Sequence, residues 1–128
     1  MFNNSGITKS KLTSPKQILA NVDIQASIGC VVPAVLGVAV GGKKIAKAGT
    51  PIRVDFDNLT KEVVKGDGTN AMNAVLLHDV DVTVGANNGV ALYMGAVNIN
   101  RVDSDVATLI TAAKAAAAKS PLIVFIKA

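Results

Sequence analysis

The chain has few of the residues that usually carry chemistry or base stacking. Its 128 residues include one cysteine, one histidine, no tryptophan and four other aromatic residues. Single-stranded nucleic acid is commonly held by stacking its bases on aromatic rings, and too few rings are present here for such a surface. Only two residues are arginine, so a strong nucleic-acid-binding footprint is missing as well. We therefore expect no nucleic-acid partner.

The single cysteine excludes an intramolecular disulfide. Cys30 lies in an apolar segment with no base nearby in sequence, so we expect a buried thiol and not a nucleophile. The first residues lack the basic and then apolar pattern of a secretory signal. The apolar run at residues 28–40 is 13 residues long and is broken by Pro33, whereas a membrane helix needs about 20. These features predict a protein made in a cytoplasm, with no membrane partner.

Acidic residues are missing from the first twenty positions, which contain Lys9, Lys11 and Lys16. The remaining 108 residues are almost neutral, although the whole chain carries a net charge of +4. Two interpretations of residues 1–20 stay open. They are a flexible arm that docks on an acidic surface or on phosphate, or a solvated terminus without a partner. The predicted organisation is an arm at residues 1–20 and one domain at residues 21–128.

The domain is predicted to be β-rich, because apolar and polar residues alternate along several short segments. Gly41 and Gly42 can supply the positive φ angles of a tight hairpin turn. A second turn is expected at residues 87–89, and a bulge at Gly95. The last strand is apolar on both faces, which predicts a central or covered position in the sheet. The predicted strands cover residues 22–27, 37–45, 52–56, 74–77, 80–84, 90–99 and 122–126.

One helix is predicted, at about residues 104–118. Asp103 or Ser104 can cap its first turn, and Pro121 prevents its continuation. Val106, Leu109, Ile110, Ala113 and Ala117 recur at helical spacing and form one apolar face. The predicted fold class is therefore β-rich α+β, a small β-sandwich or barrel-like domain with one C-terminal helix and an N-terminal arm.

The polar residues that could form a chemical site are few, and each has a structural interpretation. His78, Asp79 and Asp81 could contribute to a metal site or an acid–base pair, but the Cys and His clusters of structural zinc sites are absent. A strand ending in a polar turn is the favoured interpretation. Asp67 and Asn70 lack the spacing of a calcium loop and predict an exposed turn. Gly41, Gly42 and the lysine after them lack the spacing of a phosphate-binding loop. No cofactor or metal is expected.

Three phrases follow one another through the middle of the chain. They read Ala-Gly-Thr-Pro-Ile at residues 48–52, Ala-Val-Leu-Leu-His-Asp-Val-Asp-Val-Thr at 74–83, and Ala-Leu-Tyr-Met-Gly-Ala-Val-Asn at 91–98. Their order resembles the small capsid decoration proteins of tailed bacteriophages, of the lambda head decoration type. The resemblance extends over residues 35 to about 102. The head-binding domains of phage head fibre proteins are related, and on this resemblance we expect a decoration protein without a fibre. The apolar segment at residues 28–40 has no counterpart in the small members of the family.

The resemblance implies a structural virion protein and not an enzyme. Decoration proteins of this type form trimers on the outer face of the expanded head, and their arms pair with the major capsid protein. On this basis we expect a homotrimer that cements a phage head. Lys9, Lys11 and Lys16 would lie in the capsid-docking arm, and Ala113, Ala116 and Ala117 in a small-residue trimer interface.

Two alternatives remain open. The first keeps the protein in the virion but makes it a tail-tube or tail-adaptor subunit. The second is a small cytoplasmic enzyme or ligand-binding domain that uses His78, Asp79 and Asp81.

Overall fold

The protein is a β-rich α+β domain with one α-helix, as the sequence predicts. The computed structural model describes residues 17–21, 23–67, 69–115 and 122–127. Within these ranges the strands are short, with one exception of twelve residues. The elements, in chain order, are strands β1 (Ala26–Val32), β2 (Val38–Val40), β3 (Lys43–Ala46), β4 (Pro51–Arg53), β5 (Val64–Lys65), β6 (Ala74–Leu76), β7 (Val80–Asp81) and β8 (Asn87–Asn98), helix α1 (Ser104–Ala115) and strand β9 (Ile123–Ile126), with 3-10 turns at Ala34–Leu36 and Ile99–Arg101.

The long strand β8 organises the larger sheet. It pairs antiparallel with β1 and with β6, and its last four residues pair parallel with β9. Beyond β6 the sheet continues through β4 to β5. Just before β5, the backbone N–H of Val63 donates to the carbonyl of Val31 in β1 at 2.9 Å. This contact closes β1, β8, β6, β4 and β5 into a ring, so the larger sheet is barrel-like.

A smaller sheet of β2, β3 and β7 lies beside the ring. Its β2–β3 hairpin turns at Gly41 and Gly42, whose φ angles are +56° and +83°. Positive φ at both central positions is the requirement of the tight hairpin turn, which confirms the prediction for this pair. Two hydrogen bonds continue the β3–β7 pairing beyond β7. Val82 N donates to the Lys44 carbonyl, and Lys44 N donates to Thr83 Oγ1.

Strands β6 and β8 separate two apolar cores. In β6, Ala74 and Leu76 belong to the first core, whereas the intervening Val75 belongs to the second. Ala91 and Leu92 of β8 divide in the same way. Because successive side chains of a strand point to opposite faces, both strands are buried on both sides. The central position predicted for the last strand is therefore taken by β6 and β8.

Helix α1 packs on the domain through the face predicted from its spacing, and Ala113 of this face belongs to the second core. Val106, Ile110 and Ala113 are each at most 1 % exposed. Asp105 stands in the first turn of the helix, where a negative charge is favourable. The predicted end near residue 118 lies outside the described residues.

Several predicted strand boundaries are wrong, and local side-chain bonds explain two of them. At the start of the predicted strand at residues 22–27, Asp23 N donates to Asn21 Oδ1, and β1 starts only at Ala26. The predicted strand at residues 52–56 ends at Arg53. Beyond it, the Asn73 side chain bonds both Val54 N and the Val54 carbonyl, at 2.7 and 2.8 Å, and so replaces a neighbouring strand. Strand β5 is not among the predicted strands.

The predicted turn at residues 87–89 is also wrong. The chain turns earlier, where Gly85 N donates to the Val82 carbonyl, and residues 87–89 are already paired with β1. A Cβ at Gly89 would come within 2.9 Å of the Val32 and Val80 side chains, so glycine serves close packing at this position. The bulge expected at Gly95 lies two residues earlier, at Tyr93, where the β1–β8 register shifts.

The last strand, β9, does not have the position that its composition predicts. Among the described residues it pairs with β8 alone and forms the edge of the sheet. Ile123 is buried, but Val124 on the opposite face is 58 % exposed. The apolar character of both faces therefore reflects an uncovered surface and not a central strand.

The domain begins before residue 21. Ile18 and Leu19 are 0 % and 3 % exposed and pack in the second core with Val97. Ala20 N donates to the Ala96 carbonyl at 2.9 Å, and Asn98 N donates to the Ile18 carbonyl at 2.8 Å. Residues 17–20 thus belong to the folded domain, which corrects the predicted boundary of the arm at residue 20.

Candidate functional site

The first two phrases of the sequence meet in one buried turn. Gly49 N donates to the Leu76 carbonyl at 2.6 Å, and Leu76 N donates to the Thr50 carbonyl at 3.0 Å. The Asp79 carboxylate accepts from Ala48 N at 2.7 Å. Gly49 has φ +91°, and a Cβ there would lie 2.7 Å from Val102 Cγ1. Glycine is required at this position because both the backbone angle and the space exclude a side chain.

Asp81 also bonds to the backbone, within its own turn. Its Oδ1 accepts from Thr83 Oγ1 at 2.6 Å and from Thr83 N at 2.9 Å. The Thr83 hydroxyl, followed by its N–H, holds the pKa of the Asp81 carboxyl below its usual range. A carboxylate held in this way is ionised and satisfied by its own chain. The predicted polar turn is confirmed for Asp81, whereas Asp79 reaches a partner 31 residues away.

His78 stands next to Asp79 but is not bonded to it in the described structure. It is partly buried, and its Nδ1 has no hydrogen-bond partner there. Among residues 17–21, 23–67, 69–115 and 122–127, no group of three or more His, Cys, Asp or Glu side chains is placed to hold a metal ion. The carboxylates of Asp79 and Asp81 bond instead to Ala48 and Thr83.

The remaining polar candidates are structural too. The carboxylate of Asp67 accepts from Asn70 N and Thr69 N, and these bonds lower the pKa of Asp67. The exposed turn predicted for Asp67 and Asn70 is thereby confirmed. Cys30 is 5 % exposed, and burial raises the pKa of its thiol. A buried thiol with a raised pKa is a poor nucleophile at neutral pH.

One ion cluster ties the helix to the turn of the first phrase. Lys47 Nζ lies 3.2 Å from Asp103 Oδ2 and 3.1 Å from Asp105 Oδ2. The bond to Asp105, with a further contribution from Asp103, raises the pKa of Lys47. The cluster links the start of α1 to the segment between β3 and β4.

Of the three alanines of the predicted oligomer interface, the structure describes only Ala113. Ala113 is 1 % exposed and packs in the second core, so we assign it to the domain interior. Ala116 and Ala117 lie outside the described residues. The predicted arm residues Lys9, Lys11 and Lys16 lie outside them as well.

Two apolar grooves are open on the described surface. The first, which we call the terminal-strand groove, has a volume of about 280 Å³. It is lined by Asn21, Ile24, Met94, Gly95, Ala96, Leu122 and Val124. The second, the Val35 groove, has a volume of about 550 Å³. It is lined by Pro33, Val35, Leu36, Lys61, Glu62, Val63, Val64 and Lys65.

Both grooves carry aliphatic side chains that face water. In the terminal-strand groove, Ile24, Leu122 and Val124 are 63 %, 53 % and 58 % exposed. In the Val35 groove, Val35 is 84 % exposed and Val64 is 41 % exposed. Clusters of exposed aliphatic residues of this kind mark interaction surfaces in soluble proteins. The sequence contained the signal for the first groove, because residues 122–126 are apolar on both faces.

A third hollow, of about 510 Å³, is polar and is bordered by Phe56. The Phe56 ring lies edge-on to Tyr93, with centroids 5.6 Å apart. Arg53 Nη1 donates to the Ala71 carbonyl, and Lys61 lies 4.0 Å from Asp55, so these charged groups already have partners. The hollow contains no nucleophile paired with a base.

The terminal-strand groove adjoins the point where the N-terminal segment enters the domain. Residues 18–20 bond to Ala96 and Asn98 of β8, whereas β9 bonds to Gly95 and pairs with the same stretch. Neighbouring residues of a strand direct their backbone groups to opposite edges, so the two segments flank β8. Asn21, which follows this segment, lines the groove.

Comparisons with known proteins leave the family open. No family model matches the chain, and neither the curated proteins nor the solved structures contain a match. In the part of the chain that the structure describes, no helix is long and apolar enough to cross a membrane.

Proposed function

We propose that this protein is a structural component of a bacteriophage virion, which binds the outer surface of the capsid as a homotrimer and stabilises the expanded head. The proposal starts from the resemblance of the three phrases to capsid decoration proteins. The main structural support for it is the attachment of the N-terminal segment to the folded domain. Residues 18–20 are bonded into β8 beside an exposed apolar groove.

This arrangement suits a protein that binds through an arm and a surface together. The basic residues Lys9, Lys11 and Lys16 precede a segment that is held in the core by Ile18 and Leu19. A load on the arm is therefore passed to the folded domain. Once one arm of a trimer is bound, the other two act at a high effective concentration, so weak contacts add to a firm attachment.

A rigid scaffold is the other requirement of a cementing protein. The second core joins the N-terminal segment, the helix and the last strand, and the Lys47 cluster ties the helix to the first phrase. Asp79 and Asp81 have no chemical part in this role, because both carboxylates hold turns in place. No chemical step is part of the proposal.

The direct test is saturable binding to undecorated expanded heads, measured by co-sedimentation. We expect a fixed number of copies per capsid three-fold position. Deletion of residues 1–16 should weaken binding at least about tenfold. The deletion stops at residue 16 because Ile18 and Leu19 belong to the core. Equal binding by the full chain and the shortened chain would contradict the proposal.

Two matched charge-reversal variants test whether binding depends on the lysines of the arm or on positive charge anywhere on the protein. Lys9→Glu with Lys11→Glu changes two lysines of the arm, and Lys43→Glu with Lys44→Glu changes two exposed lysines of the β2–β3 hairpin. Only the first pair should weaken binding to heads. Binding to purified tails in place of heads would support the tail-subunit alternative. A gene for a capsid protease or major capsid protein beside the coding sequence would favour the head.

A further inference from the structure

An apolar row crosses the outer face of the sheet at its last strand. Leu122, Val124 and Ile126 are all exposed aliphatic residues. Alternate residues of a strand share a face, so these three side chains lie in one row. Ile24 and Met94 stand beside the row in the terminal-strand groove. Within the described part of the chain, this row faces water.

The backbone of β9 is open at the same place. In the described structure β9 pairs with β8 on one side only, and residues 123–126 contain neither a charge nor a proline. Natural proteins usually protect such an edge strand with charge, proline or a covering segment. The row and the edge together therefore favour a segment of polypeptide as the occupant of this surface.

The described chain begins beside one end of the row. Asn98 N donates to the Ile18 carbonyl, and Asn98 pairs on its other side with Ile126 of β9. Neighbouring strands lie about 4.8 Å apart, which places Ile18 and Ile126 about 10 Å from each other. The arm (residues 1–16) therefore joins the domain next to the uncovered row.

The arm is also long enough to cover the row. At about 3.3 Å per residue, the row extends for about 13 Å from Ile126 back to Leu122. Leu12 and Ile7 are the aliphatic residues of the arm, five and ten positions before Gln17. An extended chain carries them about 16 Å and about 33 Å from Gln17, so both can reach the row.

The size of the groove favours a tethered segment over a separate protein. A stable interface between two molecules takes about 20–30 residues a side, whereas seven described residues line the terminal-strand groove. A segment of the same chain has a high effective concentration, so a few apolar contacts are enough to hold it. Charge does not direct the contact, because Asp23 next to Ile24 and Lys127 after β9 have opposite signs.

We propose that the arm covers the terminal-strand groove of its own chain, with Ile7 and Leu12 packed on the row formed by Leu122, Val124 and Ile126. The contact belongs to the protein free in solution and does not depend on the proposed function. In a chain that binds phage heads through its arm, release of this contact precedes docking.

The test measures the binding of a fluorescent peptide of residues 1–16 to a chain that lacks them, by fluorescence anisotropy. The shortened chain should bind the peptide saturably, and the full chain at least about tenfold more weakly, because its own arm competes. Leu12→Asp in the peptide should weaken binding at least about tenfold. Thr13→Asp adds the same charge one residue later and should not. In the shortened chain, Val124→Lys should abolish binding, whereas Val84→Lys, at an exposed valine outside the groove, should leave it unchanged.

Three results of this experiment would overturn the proposal. The first is a dissociation constant above about 1 mM, because even a tethered arm would then be mostly released. The second is equal binding of the peptide by the full chain and the shortened chain. The third is binding that is lost as salt is raised from about 50 to about 500 mM, because screening would then assign the contact to the lysines.

A disulfide experiment distinguishes the groove of the same chain from that of a neighbouring copy. Leu12→Cys with Leu122→Cys should lose its two added thiols on oxidation with diamide and still run as a monomer on a non-reducing gel. Leu12→Cys with Val35→Cys is the matched control and should keep its thiols, because Val35 lines the other groove. Cys30 is buried and does not compete. Cross-linked dimers from a mixture of the single variants Leu12→Cys and Leu122→Cys would make a second copy the occupant and overturn the proposal.

Thermal melting of each variant checks that it is folded. The outcome is distinct from that of the head-binding experiment, because the peptide and disulfide measurements use no capsid. A shortened chain that fails to bind the peptide, beside a full chain that binds heads, overturns the covered groove alone. Peptide binding and the expected disulfide, without binding to heads, refute the proposed function alone.

Discussion

The carboxylate of Asp79 accepts a 2.7 Å hydrogen bond from the backbone N–H of Ala48. Ala48 is 2 % exposed, so this N–H has little access to water without its partner. The bond joins the first phrase of the sequence to the second across 31 residues. Asp79, which in the sequence resembles one half of an acidic pair with Asp81, therefore serves to link two turns by a hydrogen bond.

Replacing Asp79 should reduce stability, and the loss should be smaller when the new side chain can still accept the hydrogen bond from Ala48 N. Asp79→Ala leaves the buried Ala48 N–H without an acceptor, which should lower the free energy of unfolding by about 1–3 kcal/mol. Asp79→Asn keeps a side-chain oxygen and should lose less. Urea titration followed by circular dichroism measures both values. Equal stability of Asp79→Ala and the wild type would show that the bond contributes nothing.

Alanine substitutions at Gly49 and Gly42 distinguish the cost of a left-handed backbone from the cost of a steric clash. Their φ angles are similar, +91° and +83°, but only at Gly49 does a Cβ meet other atoms, at 2.7 Å from Val102 Cγ1. Gly42→Ala should cost about 1–2 kcal/mol for the left-handed backbone alone. Gly49→Ala should cost about 1–3 kcal/mol more, because the core is overpacked. Equal losses of unfolding free energy in the two variants would contradict the close contact at Gly49.

Ile18 and Leu19 should behave as core residues although they lie near the start of the chain. Leu19→Ala should lower the free energy of unfolding by about 2–5 kcal/mol, as buried aliphatic truncations do. Val84→Ala, at a fully exposed valine, should stay within about 0.5 kcal/mol of the wild type. Deletion of residues 1–16 should preserve the melting temperature far better than deletion of residues 1–19. A similar loss for both deletions would place the domain boundary elsewhere.

Asp81 should make the protein less stable in acid. Its folded pKa is held below the ordinary value of 3.8 by the Thr83 hydroxyl and N–H, so the ionised form is favoured in the folded state. The contribution is present above pH 3.8 and is lost as the pH falls through the folded pKa. Asp67 is shifted in the same direction by Asn70 N and Thr69 N and should add to the effect.

The variant Asp81→Asn tests this dependence. It keeps an oxygen acceptor for Thr83 but does not titrate, so its stability should fall less steeply between pH 5 and pH 2 than that of the wild type. Thermal melting across this range measures the difference. Parallel curves for the two proteins would remove Asp81 from the acid response.

The sequence predicts the features of this fold that depend on neighbouring residues. The Gly41–Gly42 hairpin follows from a local backbone requirement, and the buried face of α1 follows from the spacing of Val106, Ile110 and Ala113. The Asp67 and Asp81 turns are likewise local, because each carboxylate bonds residues two or three positions ahead. Such features need no knowledge of the rest of the chain.

Features that depend on distant partners could not be predicted. Asn87 and Asn88 have the composition of a turn, but pairing with Val31 and Val32 makes them strand residues. Ile18 and Leu19 fall within the predicted arm, because Val97, the residue of β8 that Leu19 pairs with, lies almost eighty residues later in the chain. The apolar residues of β9 predict a covered strand, but its position at the edge of the sheet, with Val124 58 % exposed, depends on how the distant strands pair.

The attachment of residues 18–20 to β8 has a mechanical consequence. The bonds from Ala20 N to Ala96 and from Asn98 N to Ile18 run across the direction of the two strands. Tension drawn along the N-terminal segment therefore shears these bonds together and does not peel them apart one after another. Ile18 and Leu19 must leave the core in the same event. A pull on the arm is resisted by the whole domain, and the joint should yield only at forces that unfold it.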